Sequence, residues 1–176
     1  MVLEIDKWKI EFFDDGNNGC IRFMDEQLER VLTKQPPKTI TEASFIHISA
    51  VTGITNEQLV HLRTTRISLR APQISSWGIN NLIKQWISGD RRITNISLTE
   101  TRNLDANSIV KDVDPSCLVS EAALLRVSFI QRKLEPMVCM GVRSGLRNKS
   151  GNLLVLDVCT NSCNIFDPYL LDLHFS

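Results

Sequence analysis

Thr65-Arg-Ile-Ser-Leu-Arg70, Ser76-Trp-Gly-Ile-Asn-Asn-Leu-Ile-Lys-Gln-Trp-Ile-Ser-Gly89 and Ile93-Thr-Asn-Ile-Ser-Leu98 follow one another with short connections, and their reading decides the fold. In the middle stretch Ile79, Leu82, Ile83, Trp86 and Ile87 recur at i, i+3, i+4, i+7 and i+8, the stripe of an amphipathic helix. Ser75 or Ser76 can cap its start, and Gly89 suits the left-handed residue just past its end. The flanking stretches alternate polar and apolar residues as half-buried strands do, and Pro72 stops the first. Together they predict a strand–helix–strand unit.

The same unit recurs outward. Cys20-Ile-Arg-Phe23 reads as a strand, followed by a helical pattern from Met24 to Leu32 that Pro36-Pro37 ends. Ser44-Phe-Ile-His-Ile-Ser49 reads as another strand, and Thr55-Asn-Glu-Gln58 as a capping box opening a short helix with Leu59 and Leu62. The apolar pairs Ile21/Phe23, Ile46/Ile48, Ile67/Leu69 and Ile96/Leu98 are separated by 25, 21 and 29 residues, in the range of a leucine-rich-repeat-like unit. An ordinary open sheet of strand–helix units is the alternative. Both readings predict an α/β protein with a mostly parallel sheet, because helices must cross over between strands.

From Asn103 the character changes. Leu104 to Cys117 is polar and reads as a connecting loop. Ser120 to Leu125 begins a short helix, and strands are expected at Met137–Val142, Asn152–Val158 and Leu170–Phe175, with a turn at Asn148-Lys-Ser-Gly151. The expected organisation is a repeat region over 1–102, a connecting loop over 103–119 and a small antiparallel cap over 120–176, packed as one domain.

Of the 176 residues 43% are hydrophobic, and twenty acids balance twenty bases, which excludes general disorder and argues against a broadly basic nucleic-acid binder. No stretch approaches the ~20 apolar residues that span a bilayer, and Met1 to Lys7 lacks the pattern of a signal peptide. An intracellular chain with five reduced cysteines is therefore expected, with neither a membrane nor a nucleic acid as partner. Cys159-x3-Cys163, near Asp157, Asp167 and His174, lacks the second cysteine pair of a structural zinc site. Asp14 to Gly19 lacks the ligand order of a calcium loop, and Gly141 to Gly145 lacks the context of a phosphate loop. No metal, no cofactor and no catalytic residue is expected.

The stretch 76–89 with Arg92-Ile-Thr-Asn-Ile-Ser-Leu98 resembles the signature of the nematode F-box-associated domain, a short helix followed by an apolar strand. Asn80 or Asn81, Leu82, Lys84, Trp86, Ile87 and Gly89 occupy matching positions, and Arg147 to Val155 resembles the family's late hairpin, with Ser150 in place of its acid and Leu154 in place of its small residue. The resemblance implies a non-enzymatic substrate-recognition module of an F-box ubiquitin-ligase adaptor, linked to a cullin. Nothing before residue 40 reads as the Leu-Pro opening and three-helix pattern of an F-box.

Aligning the apolar pairs places Arg22, His47, Ser68 and Ser97 between the core residues of successive strands, in one row on the open face. Arg66 and Arg70 flank Ser68; Asn95 and Thr99 flank Ser97. Guanidinium groups grip carboxylate or phosphate, so the row predicts binding of a protein substrate or peptide, acidic or phosphorylated. Arg143, Arg147 and Lys149 form a second basic group at the cap. Two other readings stand beside this one: a structural scaffold holding a stable partner, and a cysteine hydrolase.

Overall fold

In the computed structural model the amphipathic stripe of 79–87 forms the helix Ser76–Ser88, with Ile79, Leu82, Ile83 and Trp86 buried and Gly89 closing it at φ +89. The structure describes residues 2–5, 8–14, 19–23, 45–126 and 141–170, with side chains for 45–48, 51–126 and 141–170. In chain order the elements are β1 (Val2–Ile5), β2 (Trp8–Asp14), β3 (Gly19–Phe23), β4 (Phe45–Val51), α1 (Asn56–His61), β5 (Arg66–Arg70), α2 (Ser76–Ser88) and β6 (Asn95–Thr99). There follow α3 (Ala106–Ile109), a 3-10 turn (Pro115–Cys117), β7 (Leu118–Ser120), α4 (Glu121–Leu125), β8 (Val142–Arg147), β9 (Leu153–Cys159) and β10 (Ser162–Phe166).

The strands form one sheet in the order β1-β2-β3-β4-β5-β6-β10-β9-β8-β7. The expectation of a mostly parallel, leucine-rich-repeat-like sheet is overturned. Only β3–β4, β4–β5 and β5–β6 are parallel, and every other neighbouring pair is antiparallel. Chain connections explain the mixture. A parallel pair needs a crossover of about a dozen residues, and β4–α1–β5–α2–β6 supplies two. By contrast β1 and β2, or β9 and β10, lie only two residues apart in sequence, which permits nothing but hairpins. The strand β10 was not foreseen. It inserts beside β6, where a further parallel repeat would have stood.

Local chemistry explains the helices. Thr55 Oγ1 accepts from the Gln58 N–H at 3.4 Å while Gln58 Oε1 accepts from the Thr55 N–H at 2.9 Å, completing the capping box of α1. Ser75 occupies the N-cap of α2 but makes no capping bond; its hydroxyl accepts from Asn56 Nδ2 instead. Buried Asn80 donates from Nδ2 to the carbonyls of Ile109 (2.7 Å) and Lys111 (2.9 Å), fastening α2 to the end of α3.

One face of the sheet carries the main core, in which Ile46, Ile48, Ile67, Leu69, Ile96, Leu98, Ile165 and Leu156 meet Leu59, Leu82, Ile83 and Trp86. Each fully buried aliphatic side chain contributes about 1.5–3 kcal/mol. The segment expected as a connecting loop contains α3 and the 3-10 turn and buries Leu104, Ile109 and Val113 in this core. A smaller cluster of Leu124, Leu153, Val155 and Phe166 lies apart from it, where α4 folds over β8. Gly145 permits that approach, since a Cβ there would lie 2.8 Å from Leu124 Cδ2. The expected helix at 24–32 and most of the strands expected at 137–142 and 170–175 lie outside the described residues.

Candidate recognition face

Register carries one row of side chains across the face opposite the main core. Arg22 stands opposite His47, His47 opposite Ser68, and Ser68 opposite Ser97. The row continues from Ser97 to Asn164 on β10, to Asp157 on β9 and to Arg143 on β8. At a strand spacing of about 4.8 Å, the part from His47 to Arg143 spans about 24 Å. Of Arg22 the structure gives the backbone position only.

A second row runs alongside: Phe45, Arg66, Asn95, Phe166 and Val155. A third, at the other end of the strands, holds Arg70, Thr99, Ser162 and Cys159. Of the candidate residues named from the sequence, His47, Arg66, Ser68, Arg70, Asn95, Ser97 and Thr99 lie on one face. Strand alternation requires it once Ile67, Leu69, Ile96 and Leu98 are committed to the core.

The two arginines of β5 have different surroundings. Arg66 is half-buried, with its guanidinium 5.1 Å from the centroid of the Phe45 ring, which His47 also approaches at 6.2 Å. No carboxylate among the described residues pairs with Arg66. Arg70 donates to Glu100 Oε1 from Nε at 2.9 Å and from Nη2 at 2.7 Å. Both partners are nearly half exposed, so this bridge is worth about 0–1 kcal/mol. Thr99 Oγ1 donates to the Leu69 carbonyl at 3.4 Å. The side chains of Ser68, Ser97 and Asn164 are half-buried and make no hydrogen bond with another described residue.

Sequence reasoning missed Asn164 and Asp157 as members of the row and assigned Arg143 to a separate basic group. Arg143 donates from Nη2 to Asp157 Oδ2 at 3.2 Å, with the two side chains only 8% and 6% exposed. One signal was readable: Asp157 is the single charged residue in the run Leu153 to Val158.

The cysteines do not converge. Cys163 is opposite Val158 and faces the core, whereas Cys159 is opposite Ser162 and faces the other side. Burial pushes the Cys163 thiol up, and the charges of Asp157 and Cys159 add to the shift. Cys159 lines a cleft of about 290 Å³ with Leu104, Asp105, Asn107, Gly141 and Thr160, among which there is no histidine to act as a base. No group of three His, Cys, Asp or Glu among the described residues is placed to hold a metal ion.

Arg91 is 4% exposed and donates at 3.4 Å to the carbonyls of Val60 and Thr64 near the end of α1. Burial pulls its guanidinium down to about 10, and the like charge of Arg63 acts in the same direction. Its carbonyl partners mark it as a tie between the end of α1 and the turn after α2. No family model, curated protein or solved structure matches this chain.

Proposed function

We propose that the chain is a protein-recognition module that takes an extended segment of a partner across the polar row His47–Ser68–Ser97–Asn164. One observation carries this reading: three adjacent strands present half-buried polar side chains that bond to no other described residue. Leaving such groups half-desolvated costs free energy that a peptide's backbone amides would recover. The resemblance of 76–98 and 147–155 to the F-box-associated domain supports a role in choosing substrates for a cullin-based ubiquitin ligase. Within this proposal the chain acts in the cytoplasm or nucleus and catalyses nothing. Among the described residues no helix is long and apolar enough to cross a membrane.

The test is affinity purification with the unaltered chain and with Ser97→Arg, which places a long cation in the middle of the row. Partners retained by the first and lost by the second support the open face. Equal recovery by both would exclude it. Cullin-ligase subunits among partners whose abundance rises on proteasome inhibition support the adaptor role, and stoichiometric partners of constant abundance support a scaffold.

A further inference from the structure

We propose that Arg66, seated on the Phe45 ring, is the residue of the open face that reads an acidic side chain of the bound segment, and that Glu100 withholds Arg70 from this task. This rests on the reading that the open face takes a peptide. The two arginines lie four residues apart on one strand and point the same way, but their charges are disposed differently.

The guanidinium carbon of Arg66 lies 5.1 Å from the centroid of the Phe45 ring, a cation–π contact, and no described residue accepts a hydrogen bond from its N–H donors. The residues in register with Arg66, Phe45 and Asn95, bring no acid to it. Its charge is therefore unopposed, and its donors unclaimed, among the described residues. Arg70 already has its carboxylate. Its Nε and Nη2 both reach Glu100 Oε1, so a ligand carboxylate would have to displace Glu100 to reach that fork. Glu100 follows directly on β6 with φ +58, a left-handed conformation rare outside glycine, at the turn where its carboxylate reaches Arg70 on the neighbouring strand.

The charge available also selects the kind of anion. Arg70 is already paired with Glu100, so one guanidinium rather than two meets the ligand. A lone guanidinium balances the single charge of a carboxylate, whereas a phosphoryl group carries about two, so the ligand group is the side chain of an aspartate or glutamate. Ser68, Ser97 and Asn164 then engage the backbone of the same segment.

The experiment uses the immobilised full chain and three pools of nonapeptides with neutral randomised flanks and a central Glu, Gln or phosphoserine, with retention read by mass spectrometry. The unaltered chain should retain the Glu pool at least fivefold over the Gln pool. Arg66→Ala should bring that ratio to one, Phe45→Leu should lower it several-fold while keeping the strand, and Arg70→Ala should leave it in place. Glu100→Gln should raise retention of the Glu pool by removing the carboxylate that competes for Arg70. A ratio of one for the unaltered chain, a ratio surviving in Arg66→Ala, or a ratio lost in Arg70→Ala overturns the assignment. Preference for phosphoserine over Glu would make the site a phosphate receptor and overturns it too. Unchanged retention in Glu100→Gln removes the role given to Glu100. If natural partners still depend on Ser97 while the ratio is one, this inference fails alone. If they ignore Ser97→Arg, the open-face reading itself fails.

Discussion

Arg143 and Asp157 sit directly opposite each other on β8 and β9 and form a 3.2 Å ion pair with their side chains 8% and 6% exposed. Both charges have left water, and their attraction must offset that desolvation. Removing one partner leaves the other charge buried without its counter-ion. Arg143→Ala should therefore cost about 3 kcal/mol, whereas Arg143→Leu with Asp157→Leu should be close to neutral. Urea unfolding of the three chains checks this, and a loss below about 1 kcal/mol in the single variant would mean that water reaches the pair.

Trp86 is 5% exposed and packs in the main core with Leu82 and Ile83. Trp86→Ala should cost about 3–5 kcal/mol, as other large-to-small core changes do. Trp77, on the same helix, is 54% exposed, so Trp77→Ala should change stability by about 0.5 kcal/mol or less. Thermal unfolding of both variants separates the two faces of α2; equal losses would contradict its packing.

The phase of α2 was legible because Ile79, Leu82, Ile83 and Trp86 obey a local period, and the turn of Gly89 is likewise local. The pairing of β10 with β6 was not. Cys163 and Ile165 alternate as strand residues do, but nothing near them records that their neighbours are Leu98 and Ile96, more than sixty residues earlier. Topology went astray for the same reason: repeated apolar pairs read as parallel repeats, while the short hairpin connections at both ends force antiparallel pairing. On the candidate face, Arg22, His47, Ser68 and Ser97 fell into one row because register follows from the apolar pairs. Glu100 could not be tied to Arg70 from the sequence, because a turn with φ +58 at a non-glycine residue carries no signature there.

The exposed carboxylates of Asp105 and Asp114 are held below the ordinary aspartate value. For Asp105, the N-cap of α3, the Ser108 hydroxyl and N–H are the main cause; for Asp114, the N-cap of the 3-10 turn, the N–H of Ser116 comes first, then its hydroxyl. A lowered folded-state pKa means that the unfolded chain binds protons first on acidification. The stability contributed is then fully present above about pH 4 and is lost as pH falls through the lowered values. Asp105→Asn with Asp114→Asn can keep hydrogen-bond acceptors at both caps without titrating. The melting temperature of that variant should depend less on pH below about 4 than that of the unaltered chain. Parallel curves would show that neither cap contributes to acid sensitivity.

Cys163 and Cys159, one turn apart on β9 and β10, should differ sharply in reactivity. Cys163 is fully buried in the main core, and desolvation raises its thiol, so the thiolate that attacks electrophiles is scarce. Cys159 and Cys117 are only half-buried. With a maleimide at neutral pH, the folded chain should label at Cys159 and Cys117. Cys163 should label at least a hundredfold more slowly, until denaturant is added. Peptide mapping after timed quenching reads each site. A hydrolase would require the opposite pattern, one thiol far faster than a free cysteine, because a nucleophile is activated by a base held against it. If Cys159 reacts in that way, the cleft it shares with Asp105 and Thr160 becomes the place to look for a substrate, and the recognition reading of the open face loses its standing as the chain's main activity.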